Sequence, residues 1–282
     1  MPSATASGLE LRRPSSLEDV SGRPLAGGTD LVPLLRDGLV EADALADVRE
    51  LLPTSIEEGE IGAGATLADL ERAEIPDVLR EACRLSASPQ LRQMGTIGGN
   101  LRQATRCWYW RLAYRCYLHG GDRCHAREGE HREHAIFGND RCASAHPSDP
   151  AAALLALGAT VETTRRTFPI GDLYRLPTDD NRDVVALEPG ELMVRIRYER
   201  PQGSAYLKAM DRRAWSFALV GVAAARFESG TRLAVAGVAP IPWLLESPGA
   251  LDDAAPLPGT AYKVQIARAL VRRALAAIGP GD

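Results

Sequence analysis

Soft metal ligands are concentrated in one stretch of this chain. Residues 100–149 contain all five histidines and four of the five cysteines, namely Cys107, Cys116, Cys124 and Cys142. Four thiolates are the usual ligand set of a [4Fe-4S] cluster, and thiolates also bind zinc. Zinc sites normally draw ligands from short CxxC pairs, which this stretch lacks. Cysteine count alone does not choose between iron-sulfur and zinc, and an arginine-rich loop with incidental cysteines is the third alternative.

The remaining cysteine and two histidines carry weaker signals. Cys83 lies in PDVLREACRLSAS, whose apolar residues share one helix face, so we expect its thiol to be packed in a core. His119 and His125 are next to or near cysteines, and their side chains either donate hydrogen bonds to sulfur or are simply exposed. Neither observation adds a ligand to the four cysteines.

Two glycine turns precede the cysteines. In RPLAGGTDLVPLL a short apolar run meets paired glycines and then a helical period, and TIGGNL repeats the paired glycines about 70 residues later. Glycine lets backbone amides approach an anion, so the two turns together indicate one extended ligand that carries phosphate. A tight strand-to-helix turn without a ligand is the alternative for each. Neither turn matches GxGxxG or a Walker sequence.

Composition and charge exclude several classes of protein. The chain has 282 residues, 45% of them hydrophobic, and a formal charge of −4, which gives no electrostatic case for nucleic acid or an anionic membrane as partner. No apolar run approaches the ~18 residues of a membrane span, and MPSATASGLELRRP lacks the apolar core of a signal peptide. We therefore expect a cytoplasmic protein, in which clustered cysteines favour metal binding over disulfides.

The hydrophobic pattern predicts an α+β fold in two parts. Strands are expected at 44–51 and 55–64, with helices that begin after Thr66 and at Pro76. We place a cofactor-binding domain at 1–175, with a cysteine-rich insertion at 101–148, and a smaller α+β domain of antiparallel sheet and helices at 176–282. The second domain is predicted to contain four strands and a terminal helix, at 191–200, 204–213, 217–227, 231–240 and 263–279.

Three motifs in order, LAGGTDLVPLL, TIGGNL and HPSDPAAALLALGA, resemble the FAD-binding medium subunits of the molybdenum hydroxylases, the family of xanthine dehydrogenase and carbon monoxide dehydrogenase. The resemblance implies that the first turn binds the FAD diphosphate, that the second turn and a later aspartate contact the cofactor, and that a methionine and a lysine lie near the flavin. The residues so implied are Ala26, Gly27, Gly28, Thr29, Asp30, Leu31, Thr96, Gly98, Gly99, Asn100, Asp149, Met193 and Lys208.

The cysteine-rich stretch is an insertion relative to most of that family. Asn100 and Asp149 are 49 positions apart, whereas most members connect the equivalent residues in far fewer. The insertion is similar to the one in the medium subunit of 4-hydroxybenzoyl-CoA reductase, where four cysteines hold an additional [4Fe-4S] cluster. The similarity includes CYLHGGDRCHA and an aspartate seven residues after the last cysteine. The interval from Cys107 to Cys116 is shorter than in that subunit, and the interval from Cys124 to Cys142 is longer.

The resemblance implies an oxidoreductase subunit that carries FAD and a [4Fe-4S] cluster. It would pass electrons between the flavin and a partner, with molybdopterin and [2Fe-2S] subunits as separate polypeptides and a small molecule or nicotinamide as substrate. The first alternative is a stand-alone flavoenzyme that acts on a small molecule without molybdenum. The second is a zinc-stiffened scaffold that has lost FAD.

Overall fold

A small parallel sheet carries the first glycine turn in the computed structural model, which describes residues 8–279. Its strand order is β1-β3-β2, formed by Glu10–Arg12 (β1), Arg23–Leu25 (β2) and Ala44–Asp47 (β3). The chain leaves β2 through the glycine turn and enters helix α1 (Leu31–Arg36). The turn therefore lies at the carboxyl end of a parallel strand, where the first amides of the following helix have no partner within the helix.

A five-stranded antiparallel sheet forms the middle of the molecule. It has the order β4-β5-β8-β6-β7. The strands are Ile56–Glu57 (β4), Glu60–Gly62 (β5), Thr160–Thr163 (β6), Thr167–Pro169 (β7) and Met193–Arg197 (β8). The buried side chains of Ile61, Ile196 and Val161 align across the three central strands. The division expected at residue 175 separates β8 from both of its hydrogen-bonded neighbours, and we propose that the boundary follows β8 instead.

Four short helices connect the sheets. They are Leu67–Arg72 (α2), Asp77–Arg84 (α3), Pro89–Met94 (α4) and Ile97–Leu101 (α5). Thr66 caps α2 in a capping box with Asp69, as the sequence predicts. Cys83 is fully buried on α3 and packs in the core, which also agrees with its predicted role.

The cysteine-rich insertion is largely irregular. Its one α-helix is Trp108–Arg111 (α6), and it has 3₁₀ turns at Tyr117–His119 and His125–Arg127. The chain is held to the C-terminal part by main-chain hydrogen bonds from Ile136 and Phe137 to the carbonyl of Val238. Side chains Ile136 and Phe137 are buried there. The insertion is thus part of the packed structure.

The C-terminal part is a four-stranded antiparallel sheet covered by helices on both faces. Helix Asp149–Ala156 (α7) precedes it, and the sheet has the order β12-β11-β10-β9. The strands are Gly203–Ala209 (β9), Val220–Phe227 (β10), Gly230–Ala236 (β11) and Trp243–Leu245 (β12). Side chains on β10 alternate between two cores, one shared with α3 and α7 and one with the predicted terminal helix, Tyr262–Ile278 (α8).

This arrangement confirms the predicted α+β class. The predicted strand at 191–200 belongs to the middle sheet as β8, and β12 takes the fourth place in the C-terminal sheet. A continuous apolar run predicts a strand but does not say which sheet it joins, because pairing depends on distant partners. Among residues 8–279, no helix is both long enough and apolar enough to cross a membrane.

Candidate functional site

A cavity of about 670 Å³ lies where the first sheet, the middle sheet and the C-terminal sheet meet. Its volume falls in the range of about 300–1,000 Å³ typical of cofactor and ligand sites. Every residue that the resemblance assigns to FAD lines this one cavity. These residues are Ala26, Gly27, Gly28, Thr29, Asp30, Leu31, Thr96, Gly98, Gly99, Asn100, Asp149, Met193 and Lys208.

The first glycine turn supplies free backbone donors. Among residues 8–279, no acceptor pairs with the amides from Gly27 to Leu31. Gly28 adopts a positive φ of 67°, which favours glycine. A Cβ on Gly27 would lie 1.7 Å from the carbonyl oxygen of Met94, so glycine is required there for close backbone packing. The turn presents its amides to the cavity, as a site for a phosphate group requires.

The second glycine turn is built differently from the sequence expectation. Its amides are already used: Ile97 donates to Ala65 at 2.8 Å, Gly98 to Ala63 at 3.0 Å, and Gly99 to the hydroxyl of Thr96 at 3.1 Å. Unpaired amides were expected in both glycine turns; the first turn has them, whereas these amides of the second turn are hydrogen-bonded within the protein. The absence of a side chain at Gly98 allows the wall of the cavity to pack against the chain just after β5, since a Cβ on Gly98 would lie 3.0 Å from the carbonyl of Ala63.

Asp149 and Lys208 form a buried ion pair at the cavity wall. The Lys208 ammonium donates to the Asp149 carboxylate at 2.7 Å and to the Leu85 carbonyl at 2.9 Å. The hydroxyl of Tyr206 donates to the other carboxylate oxygen at 2.6 Å, and the side chains of Lys208 and Asp149 are only 1% and 3% exposed. Burial, with the adjacent carboxylate, raises the pKa of Tyr206 well above its usual value. Both carboxylate oxygens of Asp149 accept hydrogen bonds within the protein.

Several residues that sequence reasoning did not assign also line the cavity. They include three arginines and three aromatic residues, namely Arg23, Arg102, Arg106, Trp110, Trp215 and Phe217. The Nε atom of Arg106 is buried without an acceptor, and burial lowers the pKa of Arg106 despite its pairing with Asp30. A cationic wall with an unused donor suits an anionic ligand. Two of the arginines could have been identified from their positions in the sequence. Arg23 lies three residues before Ala26 of the first glycine turn, and Arg102 directly follows the second glycine motif.

The cysteines of the insertion interact chiefly through Cys124. The thiol of Cys142 hydrogen-bonds to Cys124, which lowers the pKa of Cys124 and raises that of Cys142. Burial raises the pKa of Cys107 to about 11, and the neighbouring Cys124 and Cys116 thiols contribute to this rise. Burial also raises the pKa of Cys116, again with a contribution from Cys124. Cys124 is thus a common neighbour of the other three. However, residues 8–279 contain no group of three or more His, Cys, Asp or Glu side chains arranged to hold a metal ion.

The histidine nearest to a cysteine sulfur was not singled out by the sequence. The Nε2 atom of His134 lies 3.2 Å from the sulfur of Cys107, and 27 positions separate these residues in the chain. His119 and His125 instead contact backbone carbonyls, those of Trp110 at 2.9 Å and Arg115 at 3.3 Å. Sequence proximity to a cysteine therefore did not identify the histidine that contacts sulfur.

Comparisons with known proteins identify the family of the chain. Residues 3–198 match the family described as the FAD binding domain in molybdopterin dehydrogenase. The chain is 36% identical over 243 residues to the aldehyde oxidoreductase FAD-binding subunit PaoB of Escherichia coli, covering 79% of this chain and 76% of the relative. It is 37% identical over 111 residues to the carbon monoxide dehydrogenase medium chain of Afipia carboxidovorans, covering 33% of this chain and 38% of that relative.

A solved structure supports the same relationship. A crystal structure of the Cu,Mo-CO dehydrogenase in its cyanide-inactivated form superposes with a TM-score of 0.68 at 25% identity, and the match covers 96% of this chain and 97% of that one. The similarity therefore extends through the C-terminal sheet and beyond the residues of the family match. This chain belongs to the family of FAD-binding domains of molybdopterin dehydrogenases, which are flavoprotein components of oxidoreductases.

Proposed function

We propose that this chain is an electron-transferring oxidoreductase subunit in which FAD occupies the cavity and Cys107, Cys116, Cys124 and Cys142 hold a [4Fe-4S] cluster. The observation that carries the proposal is that the cysteine insertion itself contributes Arg106 and Trp110 to the cavity wall. A ligand of the four thiols would therefore lie beside the flavin. Cys124 is a neighbour of the other three cysteines, and four cysteine thiolates are the usual ligand set of such a cluster.

The residues of the chain supply binding and electrostatics. The free amides from Gly27 to Leu31 bind the diphosphate, and the buried ammonium of Lys208 is held at the wall by Asp149. These residues would hold an FAD that, when bound, would supply exchange of electron pairs with organic molecules and of single electrons with a metal centre such as a [4Fe-4S] cluster. Met193, at the start of β8, is buried and forms part of the apolar wall.

The wider assembly is part of the proposal. The matched relatives are named as an FAD-binding subunit of an aldehyde oxidoreductase and as the medium chain of a carbon monoxide dehydrogenase. We infer that this chain, too, works with separate molybdopterin and [2Fe-2S] subunits, and that a small organic molecule or a nicotinamide exchanges electrons with the complex. The chain alone is expected to lack molybdenum.

Anaerobic affinity purification from the native host tests the assembly. We expect two further polypeptides, with molybdenum and additional iron, to copurify with the tagged chain. A lone chain that oxidises or reduces a small molecule with FAD alone would instead establish the stand-alone flavoenzyme.

A cysteine substitution tests the cluster. Cys116→Ser should remove iron and sulfide while FAD is retained when the flavin is supplied in excess, because the cavity does not include this thiol. Cys83→Ala is the matched control, since Cys83 is buried in the core away from the insertion and should not affect iron content. Unchanged iron in Cys116→Ser would overturn the ligand assignment.

A further inference from the structure

Asp30 occupies the N-cap position directly before helix α1, but its side chain does not cap the helix. Aspartate at this position normally accepts a hydrogen bond from an amide of the first helical turn. Here the Asp30 side chain makes no such bond, although it directly follows the glycine turn. A carboxylate that is diverted from its own helix must have stronger partners elsewhere.

Those partners all belong to the cysteine-rich insertion. The Asp30 carboxylate lies 3.0 Å from the Arg106 guanidinium and 2.9 Å from that of Arg111, and it accepts a hydrogen bond from the Ala104 amide at 2.8 Å. The side chains are partly buried, with 16% of Asp30 and 18% of Arg111 exposed. The three interactions connect positions more than 70 residues apart in the chain.

Cys107 lies between the two arginines. It immediately follows Arg106 and precedes α6, in which Trp110 lines the cavity and Arg111 is the last residue. Arg111 also donates to the carbonyl of Thr105 at 2.8 Å, which fixes the chain just before the cysteine. The backbone around Cys107 is therefore held on one side by the carboxylate of the glycine turn.

We propose that Asp30 is a positioning residue that couples the two cofactor sites, so that FAD in the glycine turn and a ligand on the cysteines stabilise each other's binding. This inference rests on the proposed function. The carboxylate follows the free amides of residues 27–31 directly, and its guanidinium partners flank a cysteine of the quartet. FAD would order the glycine turn, and a ligand on the cysteines would order the insertion. Because the ionic link joins these two segments, binding of one ligand lowers the conformational entropy that is lost when the other ligand binds.

Linkage makes the coupling reciprocal. If loss of the cluster weakens FAD binding by a given factor, loss of FAD weakens retention of the cluster by the same factor. We expect a factor of about ten, or about 1.4 kcal/mol, within the usual range of coupling between sites. FAD at saturating concentration would still fill the cavity.

A four-protein cycle tests the coupling by fluorescence titration of FAD into deflavinated protein. The proteins are the wild type, Asp30→Asn, Cys116→Ser and the double variant, each with its iron content measured. Each single variant should bind FAD about tenfold more weakly than the wild type. The double variant should bind no more weakly than either single one, because both changes remove the same link.

Controls separate the possible outcomes. Asp77→Asn, which alters a surface carboxylate paired with Arg80 on its own helix, should leave FAD affinity unchanged. If Asp30→Asn fails to fold, Arg111→Gln breaks the link from the other side. If the wild type contains iron and the double variant loses as much FAD-binding free energy as the two single variants together, the coupling is overturned and the proposed function stands. A wild type that binds no iron would overturn both.

Discussion

The buried pair of Lys208 and Asp149 provides a direct test of how the cavity wall is held. Lys208→Met keeps the length of the side chain but removes the charge, and leaves the Asp149 carboxylate with the hydroxyl of Tyr206 as its main side-chain hydrogen-bond donor. Removing one partner of a buried ion pair typically costs about 3–5 kcal/mol. For a chain of 282 residues, with an unfolding entropy of about 0.6 kcal/mol/K, that corresponds to a fall of about 5–8 °C in Tm, measured by calorimetry on FAD-free protein so that lost cofactor does not contribute.

Two further variants provide references for the loss of stability in Lys208→Met. Arg200→Met removes one partner of an exposed pair with Glu58, whose side chains are 72% and 75% exposed, and should cost less than about 1 kcal/mol. Adding Asp149→Asn to Lys208→Met should recover part of the loss, since it removes the unpaired charge but keeps an oxygen that can accept from Tyr206. A Lys208→Met variant no less stable than Arg200→Met would refute the assignment of a buried, structurally required pair.

Two further predictions concern packing and pH. Gly27→Ala should abolish flavin binding, because its Cβ would overlap the Met94 carbonyl. Gly249→Ala is the control: this glycine is exposed, and its Cβ would make only an ordinary contact with Ser247 at 3.5 Å, so the variant should retain flavin. Burial lowers the pKa of Lys263 to about 7, so between about pH 7 and pH 10 the unfolded chain binds more protons and stability attributable to this lysine rises with pH. Lys263→Met should remove that rise in urea titrations, and an unchanged pH profile would contradict the reasoning.

The sequence predicts part of the cavity because each pair of glycines that lines it is adjacent in the chain. Paired glycines at 27 and 28, and again at 98 and 99, mark places where the backbone must approach something closely, and both pairs line the cavity. What they approach depends on residues far away. The Gly98 amide donates to the carbonyl of Ala63, directly after β5, so this amide of the second turn is not free to bind a ligand. The local sequence does not show which distant carbonyl a backbone amide will bond to.

Long-range contacts also explain what the sequence did not predict. The link from Asp30 to Arg111 spans 81 positions, and His134 reaches Cys107 across 27. An arginine-rich insertion with five histidines offers many combinations of partners, and only the folded chain selects among them. The apolar run at β8 shows the same limit, because its pattern predicted a strand without predicting its place between β5 and β6.

We propose that one chain carries FAD and an iron-sulfur cluster side by side. The most direct test measures flavin, iron, acid-labile sulfide and zinc in the anaerobically purified chain. We predict one FAD, with about four iron and about four sulfide per chain and no zinc. Flavin without iron would contradict the cluster assignment, and colourless protein with bound zinc would contradict both cofactor assignments.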